Sequence, residues 1–361
     1  MNTKEGTYMR RLSKTINIGK IKIGGNNPIA VQSMINIPSY NIEKSIMQAA
    51  ELKQAGCEIL RIAIPNMEAV ALIDKIKSKV DIPLVADIHF DYKLALEAIA
   101  AGIDKIRINP GNIGSEDKIK EIAKACNLNK IPIRIGVNSG SIEKHILKKY
   151  DSPSAEAMAE SALYNASLLE KYDFNDIIIS IKASDVYRTV EANRLVASKC
   201  DYPLHLGVTE SGTEKSGIVK SSIGIGSLLL DGIGDTIRVS LTASPVKEIE
   251  TGFEILKSLE LRKSGIRFTS CPTCGRTRIN LIKIAEEVEN KLKNYPADLK
   301  VAIMGCVVNG PGEAKDADIG ITGADGMGII FKKGKIIKKV PENDLVEELI
   351  KEIKSMDLGN K

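Results

Sequence analysis

Cys271-Pro-Thr-Cys274 sets two thiols within one turn, Cys306 follows 32 residues after the second, and Glu313 lies seven residues beyond that. A Cys-x-x-Cys pair brings two thiolates to one centre, so these four side chains read as a ligand set. Three chemistries use such residues. Structural zinc takes four cysteines or a cysteine–histidine mixture, but His89, His145 and His205 all precede this stretch, and no fourth cysteine accompanies these three. A redox dithiol needs only Cys271 and Cys274 and leaves Cys306 and the turn at 307–313 without a role. An iron–sulfur cluster is held by thiolates, and three thiolates with one carboxylate make a site with one weakly held corner. The spacing favours the cluster over zinc. A helix expected near 277–294 would present its N-terminus to this anionic centre, and Gly305, Gly310 and Gly312 let the backbone approach closely.

A second set of reactive side chains recurs at the ends of short apolar runs: Arg61, Asp87 with His89, Arg107 with Asn109, Arg134 with Asn138, Lys182, His205 with Glu210, and Arg238 with Ser240. Residues two apart in a strand share a face, so Arg107 points with Asn109, Arg134 with Asn138, Asp87 with His89, and Arg238 with Ser240. Structural ion pairing is the plain explanation, with Asp87 and Glu210 neutralising two of the five cations. About three positive charges then stay unpaired, which is costly in a buried site. A bound polyanion removes that cost, and forked guanidinium donors match phosphate oxygens. A diphosphate-bearing ligand is therefore expected.

The elements that must position these groups alternate along the chain. Strands are expected over 29–34, 59–64, 84–89, 105–109, 133–138, 177–183, 204–209 and 236–241, with helices near 41–55, 67–79, 91–101, 116–126, 154–171, 186–199, 215–230 and 246–260. Eight β–α units with strands too apolar for one-sided exposure predict an α/β chain built on a closed (β/α)8 barrel. A doubly wound open sheet is the competitor, but no Gly-x-Gly-x-x-Gly follows the first strand. The loops at 139–152 and 210–220 fall on the catalytic face of such a barrel, where His145 reads as a solvated loop histidine. Cys57, Cys126 and Cys200 fall at helix ends, on the opposite, stabilising face. Strands expected at 267–270, 299–305, 319–322, 328–331 and 335–340, with a closing helix near 343–355, form a small α+β domain. The boundaries expected are 1–262 for the barrel and 263–361 for the cluster domain.

The linker at 261–265 is short, and at roughly 3.5 Å per residue it does not carry the thiols from the far end of the barrel to its own mouth. A head-to-tail homodimer, with the cluster acting on a neighbour's barrel, is the expected arrangement. Composition excludes other classes. With no Trp, 4% aromatics and a net charge of only +5, stacking surfaces for nucleic acid are scarce. No apolar run reaches the roughly 18 residues of a membrane span. The polar start at 1–6 lacks the apolar core of a signal peptide, and six cysteines then read as reduced thiols or ligands. A cytoplasmic location is expected.

The motifs Ala86-Asp-Ile-His-Phe-Asp91, Arg107-Ile-Asn-Pro-Gly-Asn-Ile-Gly114, Ile133-Arg-Ile-Gly-Val-Asn138, Lys182-Ala-Ser-Asp185, His205-Leu-Gly-Val-Thr-Glu210, Cys271-Pro-Thr-Cys274 and Gly305-Cys-Val-Val-Asn-Gly-Pro-Gly-Glu313 together resemble the 4-hydroxy-3-methylbut-2-enyl diphosphate synthase family, in its short bacterial form. The resemblance covers nearly the whole chain. It implies two-electron reductive ring opening of 2-C-methyl-D-erythritol 2,4-cyclodiphosphate in non-mevalonate isoprenoid synthesis, with flavodoxin or ferredoxin as electron donor. It implies a [4Fe-4S] cluster on Cys271, Cys274, Cys306 and Glu313, the carboxylate giving way to a substrate oxygen. By the same resemblance Arg61, Arg107, Arg134, Lys182 and Arg238 hold the diphosphate beside Asn109, Asn138 and Ser240. Glu210 would contact the substrate hydroxyl as a proton donor, Asp87 and His89 would line the site, and Asn309 would lie near the cluster. The alternative is a zinc-stapled, non-redox barrel enzyme acting on a phosphorylated small molecule.

Overall fold

Short β-branched runs alternating with amphipathic stretches fold, in this computed structural model, as parallel strands each followed by helix. Residues 9–263, 265–293, 295–307, 314–324 and 326–357 are described; Asn309 and Glu313 lie outside them. The chain divides into two units, Met1–Arg262 and Lys263–Lys361.

The first unit opens with an antiparallel hairpin, β1 (Ile16–Ile18) and β2 (Ile21–Ile23). Eight β/α repeats follow: β3 (Ala30–Met34) and α1 (Ile42–Gln54), β4 (Ile59–Ala63) and α2 (Met67–Lys77), β5 (Leu84–Asp87) and α3 (Tyr92–Ala100). Next come β6 (Lys105–Ile108) with α4 (Pro110–Ile113) and α5 (Glu116–Asn129), then β7 (Ile133–Asn138) with α6 (Lys144–Tyr150) and α7 (Ala155–Glu170). The last three are β8 (Ile177–Lys182) with α8 (Val186–Ala197), β9 (His205–Leu206) with α9 (Glu214–Leu230), and β10 (Thr236–Ile237) with α10 (Pro245–Ser258). The strands pair in parallel in the order β8-β7-β6-β5-β4-β3-β10-β9. A parallel bridge from Ile179 to Leu204 joins the two ends and closes the barrel. Many helices start on a polar cap supplied by the preceding loop: Asn41, Asn66, Asp91, Ser154, Asp185 and Ser244 each accept a first-turn N–H.

Period-two alternation divides the strand residues into two environments. Outward side chains such as Leu60, Ile62, Ile106, Ile108, Ile135 and Ile179 pack under the helices in one continuous core. Inward side chains at the start of four strands, Ala30, Ile59, Val85 and Ile178, pack with Ile16, Ile18 and Ile23 of the hairpin. The hairpin thus plugs the N-terminal end of the barrel with apolar volume, and the inward positions above the plug are polar. β9 and β10 are shorter than the expected 204–209 and 236–241. Beyond these short ladders single backbone bonds continue, Arg238 N–H donating to Leu206 O at 2.9 Å and Thr209 N–H to Ala183 O at 3.2 Å.

In the second unit β11 (Arg267–Ser270), α11 (Leu281–Leu292), β12 (Lys300–Met304), β13 (Ile319–Ala324), β14 (Met327–Lys332), β15 (Lys335–Pro341) and α12 (Leu345–Asp357) follow in order. The sheet runs β11-β12-β13-β14-β15, parallel over its first three strands and antiparallel over the rest. Apolar stripes of α11 (Leu281, Ile284, Val288) and α12 (Val346, Leu349, Ile353) cover one face of this sheet. Among the described residues no helix is long and apolar enough to cross a membrane.

Candidate active site

The inward strand positions above the plug gather most of the polar residues singled out from the sequence. Arg61, Asp87, Arg107, Arg134 and Lys182 converge inside the barrel, joined by Arg238 just past the end of β10. Asp87 is the hub. It accepts from Arg61 Nη2 at 3.0 Å and Arg107 Nη1 at 3.1 Å, and His89 Nε2 lies 3.2 Å from the same carboxylate. Burial pushes the Asp87 carboxyl upward, but Arg61, the His89 hydrogen bond and Arg107 outweigh it and hold it well below the usual range. The Arg61 guanidinium is drawn down by burial to about 10, which leaves it charged at neutral pH.

The remaining cations have fewer partners. Arg134 is 1% exposed, yet its Nε and Nη1 meet no hydrogen-bond acceptor, and Arg61 Nε is likewise unmatched. Burial and the neighbouring Arg61 and Arg107 lower Arg134, while guanidinium chemistry keeps its proton. Lys182 is lowered well below an ordinary lysine, first by burial and then by Arg134, Arg238 and Arg61. Arg238 is held by a carboxylate absent from the sequence expectation. Glu248, buried in the first turn of α10, reaches Arg238 Nε and Nη2 at 3.4 Å. The same side chain accepts from Leu241 N–H at 3.0 Å and Ser33 Oγ at 3.3 Å. Glu210, expected to neutralise a cation, is exposed and makes no ion pair among the described residues. Its backbone adopts a left-handed conformation, with φ of 51°, beside Ser211, whose hydroxyl donates to the Ser240 carbonyl.

Two glycines make room for the cations. A Cβ on Gly136, between Arg134 and Asn138 on the inward face of β7, would lie 2.5 Å from Arg107 Nε. A Cβ on Gly207 would lie 2.5 Å from Lys182 Nζ and 2.6 Å from the Arg238 carbonyl. Asn109 is buried and shapes the next loop: its Oδ1 caps α4 through Gly111 N–H at 3.2 Å, and its Nδ2 donates to Ser141 O at 3.3 Å. Asn138, half-buried at the end of β7, donates its backbone N–H to Ser141 Oγ at 3.0 Å. Ser240 is half-buried and His89 exposed.

Lys105 is the clearest residue the sequence reading missed. It is wholly buried, and its Nζ has Gln32 Oε1 at 3.4 Å. Burial, Arg134 and Arg61 together push its amine well down. The signal lay in the spacing, because Lys105 precedes Arg107 by two and shares its face. Six basic side chains (Arg61, Lys105, Arg107, Arg134, Lys182, Arg238) thus meet two buried carboxylates (Asp87, Glu248) among the described residues. A dry interior does not sustain such an imbalance without an anion or a loss of protons.

The thiols lie at the ends of two neighbouring parallel strands. Cys271 follows β11 and Cys306 follows β12 by one residue beyond Gly305, and these strands pair from Arg267–Lys300 to Ser270–Ile303. Gly305 N–H donates to Cys271 Sγ at 3.1 Å, and Cys271 N–H donates to Ile303 O at 3.2 Å. Cys306 is buried and Cys274 exposed. Backbone and side-chain hydrogen bonds from Arg276 lower the Cys274 thiol. α11 begins at Leu281 rather than near 277, because Asn280 caps it by accepting from Lys283 N–H. A turn therefore separates Cys274 from the helix, and a helix dipole acting directly on the pair is not part of this centre. Among the described residues no three ligating side chains converge on one point; the fourth expected ligand, Glu313, is outside them. Backbone N–H donation to sulfur and two thiols at adjacent strand ends suit thiolate ligation of an anionic centre. The other three cysteines are unsuited to it. Burial raises Cys126 and Cys200, and raises Cys57 to about 12.

Comparison with known proteins agrees with this architecture. A dihydropteroate synthase from Stenotrophomonas maltophilia superposes with a TM-score of 0.51 at 12% identity, covering 69% of this chain and 98% of that one, a likeness of fold alone. The 4-hydroxy-3-methylbut-2-en-1-yl diphosphate synthase (flavodoxin) of Caldanaerobacter subterraneus subsp. tengcongensis is 58% identical over 348 residues, 96% of this chain and 98% of the relative. The enzyme of the same name from Fusobacterium nucleatum is 57% identical over 353 residues, 98% of this chain and 99% of the relative. The GcpE TIM-barrel domain matches residues 13–253 and the GcpE protein C-terminal domain matches residues 267–355. With a cation-lined barrel and paired strand-end thiols each inside its matching region, the chain belongs to the GcpE family.

Proposed function

We infer that this chain is a 4-hydroxy-3-methylbut-2-enyl diphosphate synthase, opening 2-C-methyl-D-erythritol 2,4-cyclodiphosphate by two-electron reduction. The observation that carries the reading is the barrel interior, where six basic groups face two carboxylates and the buried Arg134 keeps two donors unmatched. A diphosphate supplies the missing negative charge and the missing acceptors. Arg61, Arg107, Arg134, Lys182 and Arg238 hold it, and Asn109, Asn138 and Ser240 border it. As the ring C–O bond breaks, charge develops on the departing diphosphate, and these donors stabilise it without reorganising. Asp87 keeps Arg61 and Arg107 in place during this step. Glu210, held at the mouth by a left-handed turn, contacts the substrate hydroxyl and delivers a proton, while His89 lines the rim.

Cys271, Cys274, Cys306 and Glu313 hold a [4Fe-4S] cluster in this reading, with Asn309 beside it. When bound, the cluster supplies single electrons and Lewis-acid polarisation of a substrate oxygen, and reduced flavodoxin, named with the relatives, is the donor. The cluster serves a neighbouring subunit in a head-to-tail homodimer. Large apolar side chains at the barrel mouth support this: Tyr40, Phe90 and Tyr187, in or beside the loops after β3, β5 and β8, are 84%, 70% and 75% exposed, a surface suited to being covered. Anaerobic isolation with metal and sulfide analysis tests the cluster. About four irons per chain are expected; colourless protein carrying zinc overturns it and leaves the zinc-stapled alternative.

A further inference from the structure

Lys182 crosses from β8 over Gly207, and its Nζ stops 3.3 Å from His205 Nε2. The other ring nitrogen, His205 Nδ1, lies 2.8 Å from Thr236 Oγ1. His205 and Thr236 are wholly buried and Lys182 nearly so, so behind Lys182 two neighbouring strands carry an enclosed pair, His205 and Thr236, that the diphosphate reading does not use. Burial, followed by Arg134, Lys182, Lys105 and Arg61, pushes the His205 imidazole well below its ordinary value. A neutral ring has one donor nitrogen and one acceptor nitrogen. With Nδ1–H on Thr236 Oγ1, Nε2 accepts from Lys182. With Nε2–H toward Lys182, only a neutral amine can accept it, and Thr236 must donate to Nδ1. An ammonium permits the first arrangement alone.

We propose that His205 is a positioning residue of the anion site: with Nδ1–H held on Thr236, its Nε2 is the acceptor that aims a protonated Lys182 at the bound anion, and Lys182 takes up that proton as the anion enters. The inference rests on the diphosphate reading of the barrel. The groups facing Lys182 set the direction. Burial, Arg134 of β7, Arg238 beyond β10 and Arg61 of β4 weaken its hold on the proton, and Glu248 of α10 opposes them. A diphosphate reverses this balance by placing negative charge among the same cations. The proton comes from solvent and ends on Lys182 Nζ; the imidazole stays neutral throughout, and no other bond changes.

Calorimetric titration of inorganic pyrophosphate into the full-length, cluster-loaded protein, in buffers of different ionisation enthalpy at pH 8, counts the protons taken up. Comparing variants cancels the protonation of pyrophosphate itself. Lys182→Met is expected to take up fewer protons than wild type. His205→Leu should bind about tenfold more weakly, the loss of one charge-assisted hydrogen bond, with proton uptake reduced as in Lys182→Met. His205→Gln keeps an acceptor near the Nε2 position and should restore both affinity and uptake. Thr236→Val removes the tautomer lock with little change in volume and should weaken binding and reduce uptake even where His205→Leu fails to fold. Equal proton uptake in wild type and Lys182→Met, or wild-type binding by both His205→Leu and Thr236→Val, overturns the proposal and leaves the diphosphate reading standing. Failure of the wild-type protein to bind pyrophosphate overturns the diphosphate reading itself.

Discussion

Arg134 combines two properties that rarely coexist: a side chain 1% exposed and two donor nitrogens without an acceptor. Such a group costs stability in the free protein and gains it on binding. Arg134→Met should therefore raise the unfolding free energy of the ligand-free protein by about 1–3 kcal/mol, read from denaturant midpoints, and a loss of that size would speak against the unmatched charge. Protons report the same imbalance. Lys105, Lys182 and His205 all have folded-state values below their unfolded ones, so the unfolded chain binds more protons near neutrality. Stability should then rise from pH 6.5 to 8, below the range where unfolded thiols ionise, and Lys105→Met should flatten that rise. Asp87 acts at the other end of the scale: its depressed carboxyl stabilises the fold above its unfolded value and loses that contribution as pH falls. Five of the six cations were legible in the sequence because strand spacing fixes which side chains share a face; Lys105 carried the same signal, two residues before Arg107, and was passed over. Glu248 was not, because it reaches the site from the first turn of a helix, a contact set by tertiary packing with no local pattern to announce it.

At the scale of elements, the empty side-chain positions matter as much as the filled ones. Arg107 lies across Gly136, and its guanidinium occupies the space a Cβ would take. Gly136→Ala should displace that guanidinium and weaken pyrophosphate binding by about tenfold or more while leaving the melting temperature little changed; calorimetry and a thermal melt together check this. Undiminished affinity would show that Arg107 does not bear on the ligand. The eight strands were legible because branched apolar runs of four to six residues alternate with capped helices. The shortness of β9 and β10 was not, because no local pattern in 204–209 or 236–241 marks where their ladder bonds stop. The start of α11 was misplaced for a local reason. Asn280 offers a better cap than the residues just after Cys274, and the chain uses it.

On the scale of the whole molecule, the order of β/α repeats announced a barrel followed by a smaller sheet domain, and both are present. What one copy of a sequence does not display is the relation between copies. The short linker and the exposed apolar mouth carry that part of the account, and mixing variants tests it. Arg134→Met disables the barrel and Cys271→Ser disables the thiol centre. Exchanged together under conditions that reassort subunits, they should regain roughly a quarter of wild-type turnover if each thiol centre serves its neighbour's barrel. No regain in demonstrably mixed dimers would place both halves of the site in one chain.

The central claim is that the cations within the barrel carry the diphosphate through ring opening. Its most direct test is anaerobic turnover of 2-C-methyl-D-erythritol 2,4-cyclodiphosphate with reduced flavodoxin, comparing wild type with Arg134→Met at matched iron content. The account predicts product from wild type and a fall in kcat/KM of at least about a hundredfold in the variant. Equal turnover by the two proteins would contradict it.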